Sequence, residues 1–142
     1  MISFSKRLLV TGASGFFGSS IVGLAREAGW KVRALDRDPR MQIEGIEMFV
    51  GDIADSAILR NACEGVSAIV HAAGLAHVSG PGAKDSTRFN AVNEVGAGNV
   101  VDAALESGIP HIVLVSSVSV YGNYSERNAT SPYPAILKGP TP

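Results

Sequence analysis

Gly12, Gly15 and Gly18 recur at intervals of three in the segment TGASGFFG, at the point where an apolar run gives way to a helical pattern. That junction constrains the fold more than any other feature. Arg7 to Thr11 reads as a strand, and Gly15 to Ala28 reads as a helix with Ile21, Val22, Leu24 and Ala25 inward, stopped by Gly29. The alternation then repeats. Lys31 to Asp36 is a second strand, Ile46 to Val50 a third, and Asp55 is placed to cap a short helix ending near Gly65. Ser67 to His71 forms a fourth strand, a long helix runs from near Asp85 to Ser107, and His111 to Ser117 forms a fifth strand. In that helix Phe89, Val92, Gly96, Val100, Ala103 and Ala104 follow helical spacing, with small residues letting one face approach a sheet. Short apolar runs alternating with helices predict parallel strands joined by crossover helices, an α/β fold.

The remaining sequence narrows the class. At 142 residues one domain is expected. Hydrophobic residues at 46% and charged residues at 18% supply a core and argue against a disordered chain. Twelve Lys and Arg against thirteen Asp and Glu leave net charge -1, without the cationic stripe that neutralises a phosphate backbone, so nucleic acid is not an expected partner. Cys63 stands alone, which excludes an internal disulfide and points to a reducing cytoplasm. After Lys6 and Arg7 the apolar run Leu8 to Val10 is too short for a signal segment, and no run reaches the ~20 apolar residues of a spanning helix, so no membrane is expected. Gly74 to Asp85, with Gly80, Pro81 and Gly82, reads as a loop long enough to suspect function. Pro132, Pro134, Pro140 and Pro142 leave no regular element at the end of the chain.

The glycine turn has a chemical reading. The first glycine permits a tight turn, the second lets backbone amides approach a pyrophosphate, and the third lets the helix pack closely, with its N-terminus supplying positive dipole. The spacing here is GxxGxxG rather than the dinucleotide fingerprint GxGxxG. Asp36, 18 residues after Gly18, ends the second strand near the offset of a ribose-binding acid. A carboxylate there accepts from both ribose hydroxyls and repels a 2′-phosphate, which favours NAD over NADP. Arg37 pulls the other way, since a guanidinium can pair with that phosphate.

Together these segments resemble the extended short-chain dehydrogenase/reductase family of nucleotide-sugar epimerases, dehydratases and reductases. TGASGFFG resembles its cofactor turn, LDRD its ribose acid, GDI at Gly51 to Ile53 its adenine contact, and HAAG at His71 to Gly74 its loop on the nicotinamide side. VNEVGAGNV from Val92 and VLVSSVSVYG from Val113 match later motifs. The resemblance implies a Rossmann-type three-layer fold with a parallel sheet in the order 3-2-1-4-5. It implies cofactor contacts by Gly12, Gly15, Phe16, Phe17, Gly18, Asp36, Arg37, Asp52, Ile53, Ala72, Ala73, Gly74, Asn93, Val115 and Ser116. Ser117 matches the catalytic Ser/Thr that bonds the reacting oxygen. Each residue also has a plain structural alternative: Asp36 is an ordinary turn residue, Asp52 caps a turn, Asn93 satisfies a helix carbonyl, Ser117 ends a strand.

The family's YxxxK pair is absent. Four positions before Lys6, Lys31, Lys84 and Lys138 stand Ile2, Glu27, Gly80 and Pro134, and Tyr133 precedes Lys138 by five among prolines. In the family that tyrosine falls at or just past the position of Pro142, so residues 1–142 are expected to be the N-terminal portion of a longer enzyme, binding cofactor but lacking turnover and the substrate-binding part. The 4,6-dehydratases carry an Asp-Glu pair where Val118 and Ser119 stand, which leaves epimerisation or oxidoreduction of a nucleotide-sugar or related alcohol by hydride transfer. A homodimer is implied for the full-length protein. The alternative is a non-catalytic dinucleotide-binding module, sensing redox state or serving as a regulatory subunit. His71 reads as buried and hydrogen-bonded, and with His77 and His111 it offers no metal-ligand spacing, so no metal is expected.

Overall fold

The computed structural model describes residues 6–38, 42–75 and 86–117. Most of the loop to Asp85, His77, Val118, Ser119, Tyr133, Lys138 and the proline-rich segment lie outside the described residues.

Five strands form one parallel sheet: β1 Arg7–Thr11, β2 Lys31–Asp36, β3 Glu47–Val50, β4 Ala68–His71 and β5 Ile112–Leu114, in the order β3-β2-β1-β4-β5. Helix α1 Phe16–Glu27 connects β1 to β2, and α2 Ser56–Cys63 connects β3 to β4. Between β4 and β5 a helical run has three parts: α3 Ser86–Phe89, a π-helical stretch Asn90–Gly96, and α4 Ala97–Glu106. β1 is central, pairing Leu8 with both Val32 and Ala68 and Thr11 with both Leu35 and His71. It is therefore apolar on both faces, as a doubly covered strand must be. Leu9 and Ile69 face a layer built by α2 and α4. Leu8 and Val10 face the layer of α1. This is the Rossmann-type three-layer arrangement.

Helix α1 packs through Gly18, Val22 and Ala25, an i, i+4, i+7 stripe. Leu24, expected inward, lies about 200° around the helix from Val22 and is 65% exposed. At the far end Trp30 N–H donates to Ala25 O at 3.0 Å, closing the helix over the turn. Asp55 caps α2 as its position suggests, accepting from Ala57 and Ile58 N–H at 2.9 and 3.2 Å. β5 holds three residues rather than the expected seven, because among the described strands it pairs only with β4, which ends at His71. Val115 keeps one link, N–H to His71 O at 2.9 Å.

One buried cation has no counterpart in the expected core. Arg33, 6% exposed on β2, pairs with Glu47 on β3, Nη2 to Oε2 at 2.8 Å. Its Nη1 donates to the carbonyls of Asn61, Ala62 and Glu64 at 3.3, 2.7 and 2.9 Å, so the guanidinium closes the C-terminus of α2. Its head also stacks over the Phe49 ring at 5.0 Å. Arg33 thereby ties α2 to the sheet edge that carries the β3–α2 segment.

Candidate functional site

The chain order reverses between β1 and β4, and ligand crevices in open α/β sheets lie beyond the strand ends at such a point. Here a cleft of about 170 Å³ opens there. Its floor is the turn after β1. Gly12 takes φ 67°, a left-handed conformation that glycine adopts without strain. Its N–H donates to Leu35 O at 2.9 Å, and its carbonyl accepts from Gly15 N–H at 3.0 Å. A Cβ on Gly12 would lie 2.5 Å from Ala73 N, so the absent side chain is what lets the β4 exit segment pass. A Cβ on Gly18 would overlap the Gly12 carbonyl oxygen. The glycines thus press helix, turn and β4 exit together, and the N-terminus of α1 is left facing the cleft with N–H groups that have no intrahelical acceptor.

Four segments line the opening: Gly12 to Gly15 without Ala13, Leu35 to Arg37, Gly51 to Ile53, and Ala72 to Gly74, with Val92 from the π-helical stretch. Asp36 is half-buried. Its Oδ2 accepts from Ser14 N–H at 2.8 Å and its Oδ1 from Asp38 N–H at 3.0 Å. Partial burial pushes its carboxyl up, but the hydrogen bonds from the Asp38, Ser14 and Arg37 backbones and the Ser14 hydroxyl outweigh that and hold it below the usual aspartate value. The carboxylate is ionised at neutral pH. Across the lip, Arg37 Nη1 lies 3.6 Å from Asp52 Oδ2. Asp52 Oδ1 accepts from Ala54 N–H at 2.9 Å, so this carboxylate does cap a turn. Ile53 is buried, and Asn99 Nδ2 donates to its carbonyl at 3.1 Å.

Asn93 bonds a loop rather than a helix carbonyl. Its Oδ1 accepts from Leu75 N–H at 2.7 Å and its Nδ2 donates to Leu75 O at 3.0 Å, an amide clamp on the segment leaving β4. His71 is buried, with Nδ1 2.6 Å from Thr11 Oγ1, and burial lowers its pKa below 6.5. That bond joins the ends of β1 and β4 directly under the cleft.

Other residues expected at the cofactor stand apart from the lining. Phe16 and Phe17 are 84% and 60% exposed, their rings meeting edge to face at 5.4 Å. Gly18 is buried beneath the turn. Val115, Ser116 and Ser117 follow β5, exposed and outside the lining. Ser14, Leu35, Gly51 and Val92 line the cleft although none of them is among the residues expected to do so. All four lie inside the family motifs, Ser14 in the cofactor turn, Leu35 in LDRD, Gly51 in GDI and Val92 at the start of VNEVGAGNV, but at positions to which the resemblance assigns no cofactor contact. Among the described residues, no three His, Cys, Asp or Glu side chains gather to hold a metal ion, and no helix is long and apolar enough to cross a membrane.

The residues present fit a dinucleotide. A Cβ-free cradle at Gly12 and Gly18, a helix N-terminus above it and an ionised carboxylate at the end of β2 are the three parts that such a ligand needs. The profile of the NAD dependent epimerase/dehydratase family matches residues 8–138, and the chain belongs to that family. It is 30% identical over 138 residues to a decarboxylating sterol-4-alpha-carboxylate 3-dehydrogenase of Mus musculus, covering 96% of this chain and 37% of the relative. It is 30% identical over 119 residues to a UDP-glucose 4-epimerase of Vibrio cholerae, covering 82% of this chain and 36% of that one. Among solved structures, MoeE5 in complex with UDP-glucose and NAD superposes with TM-score 0.74 at 30% identity, covering 84% of this chain and 39% of MoeE5. The chain therefore spans well under half the length of each.

Proposed function

We propose that this cleft binds NAD and that the protein is an epimerase or oxidoreductase acting on a nucleotide-sugar or related alcohol. One observation carries the reading: the glycine turn, Asp36, the Asp52–Ile53 segment and the Ala72–Gly74 backbone converge on one opening. The first turn of α1, including the backbone at Phe16 and Phe17, binds the pyrophosphate by its N–H groups and dipole. Asp36, already ionised and oriented by Ser14 N–H, accepts from the ribose hydroxyls and disfavours a 2′-phosphate. Asp52 and Ile53 flank the adenine, and Ala72 to Gly74 run beside the nicotinamide half, steadied by the Asn93 clamp on Leu75. When bound, the nicotinamide accepts and returns a hydride. Val115 and Ser116 would flank it, and Ser117 would bond the substrate oxygen, stabilising the negative charge that forms there when the proton is removed or when hydride is returned to the carbonyl. No tyrosine stands at YxxxK spacing in these 142 residues, so the proton transfer is assigned to no residue here. MoeE5, bound to UDP-glucose and NAD, supports both the cofactor and the substrate class.

The test is an NMR titration of the protein with NAD. Amide signals of Gly12, Gly15, Asp36, Ile53 and Ala73 are expected to shift saturably, while Trp30 and Gly65 at the opposite strand ends stay still. Shifts confined to the opposite ends, or none at millimolar NAD, contradict the assignment. In an enzyme that carries these residues together with a YxxxK pair and turns over a nucleotide-sugar, Ser117→Ala is expected to lower kcat by about 10²-fold.

A further inference from the structure

Arg37 is the one cationic side chain lining the cleft among the described residues, and it sits where a 2′-phosphate would be met, one residue past the ribose acid. A guanidinium beside a phosphate dianion favours it strongly in a partly buried site. Asp36 alone then leaves the cofactor choice contested. The geometry adds a second carboxylate. Asp52 is fixed from one side, Oδ1 holding Ala54 N–H at 2.9 Å, and turns its other oxygen, Oδ2, toward Arg37 Nη1 at 3.6 Å. Both side chains are about half exposed. The contact links the end of β2 to the segment after β3, across the lip of the cleft.

Resting on the cofactor reading above, we infer that Asp52 is a specificity-determining residue: by holding Arg37 it withholds this cation from a 2′-phosphate and so keeps the site selective for NAD. Its effect is distinct from that of Asp36, which meets the ribose itself. Asp52 acts through Arg37.

Asp52→Asn removes the charge and keeps an amide oxygen for Ala54 N–H, so the turn survives. Dissociation constants for NAD and NADP are measured by calorimetry in the protein, in Asp52→Asn, and in both again carrying Arg37→Ala. Exposed ion pairs are weak, so the NADP-to-NAD affinity ratio is expected to rise about two- to fivefold in Asp52→Asn. With Arg37→Ala present, Asp52→Asn should leave the ratio unchanged. An equal rise with or without Arg37 means that Asp52 acts only by direct repulsion, and overturns the inference while leaving the cofactor site intact. No change in either background also overturns it. Binding of neither cofactor by the unsubstituted protein overturns the cofactor reading itself, and this inference with it.

Discussion

Arg33→Met separates two ways in which a buried arginine can hold a fold. Methionine keeps the unbranched stem and most of the volume, so the packing against Phe49 is largely retained. What goes is the charge and its hydrogen bonds. Glu47 is half exposed and returns to water, so loss of the pair itself costs at most about 1 kcal/mol. The carbonyls of Asn61, Ala62 and Glu64 lose a charged donor, and the 2.7 Å bond to Ala62 O is buried. At roughly 1.5 to 3 kcal/mol for a bond to a charged group, partly offset where water reaches the helix end, the total comes to about 2 to 4 kcal/mol. For a domain of this size that is a Tm lower by roughly 6 to 12 °C. Thermal and urea unfolding measure it, with Glu47→Gln as the companion variant, expected to lose no more than about 1 kcal/mol. A Glu47→Gln loss that equals or exceeds the Arg33→Met loss would refute the assignment of the stability to the α2 carbonyls.

Gly18→Ala places a methyl against the Gly12 carbonyl and 2.9 Å from Ala13 Cα, backbone that cannot swing aside, so a loss of about 1 to 3 kcal/mol in urea unfolding is expected together with weaker NAD binding. Unchanged stability and affinity in the Gly18→Ala protein would show that the turn has room. His71 is held neutral by burial, so its folded pKa lies below the 6.5 of the unfolded chain and the unfolded state binds the proton first. Its contribution is full above pH 6.5 and drains away as pH falls through the folded value. Urea midpoints between pH 7.5 and 5 should therefore drop more steeply in the protein than in His71→Asn, and parallel slopes would remove His71 as the cause.

The central strands were the most legible part of the chain. Arg7–Thr11 and Lys31–Asp36 have the bounds read from their apolar runs, because buried parallel strands are near-continuous hydrophobic segments. The strand order and the convergence of Gly12, Asp36, Asp52 and Ala73 were implied by the family resemblance rather than by the residue pattern alone. Other features depend on contacts that periodicity does not carry. The π-helical stretch at Asn90–Gly96 keeps its apolar residues within reach of a 3.6 spacing, so nothing in the pattern marks its widened turns or the bond from Leu75 to Asn93 within it. Nothing in the second strand's sequence marks Arg33 as buried, because its partners are carbonyls that α2 supplies. Phe16 and Phe17 are exposed and outside the lining of a cleft that their motif adjoins, since the motif constrains their backbone and not their side chains. The Arg37–Asp52 pair joins residues from different loops, a distance that sequence spacing does not encode.

Calorimetric titration of the protein with NAD and NADP, repeated for Asp36→Ala, tests the central claim most directly. Expected are saturable NAD binding, weaker NADP binding, and a loss of NAD affinity of about tenfold or more in the variant, from a charged hydrogen bond worth on the order of 1.5 to 3 kcal/mol. Absence of NAD binding, or NADP binding more tightly than NAD, would contradict the account.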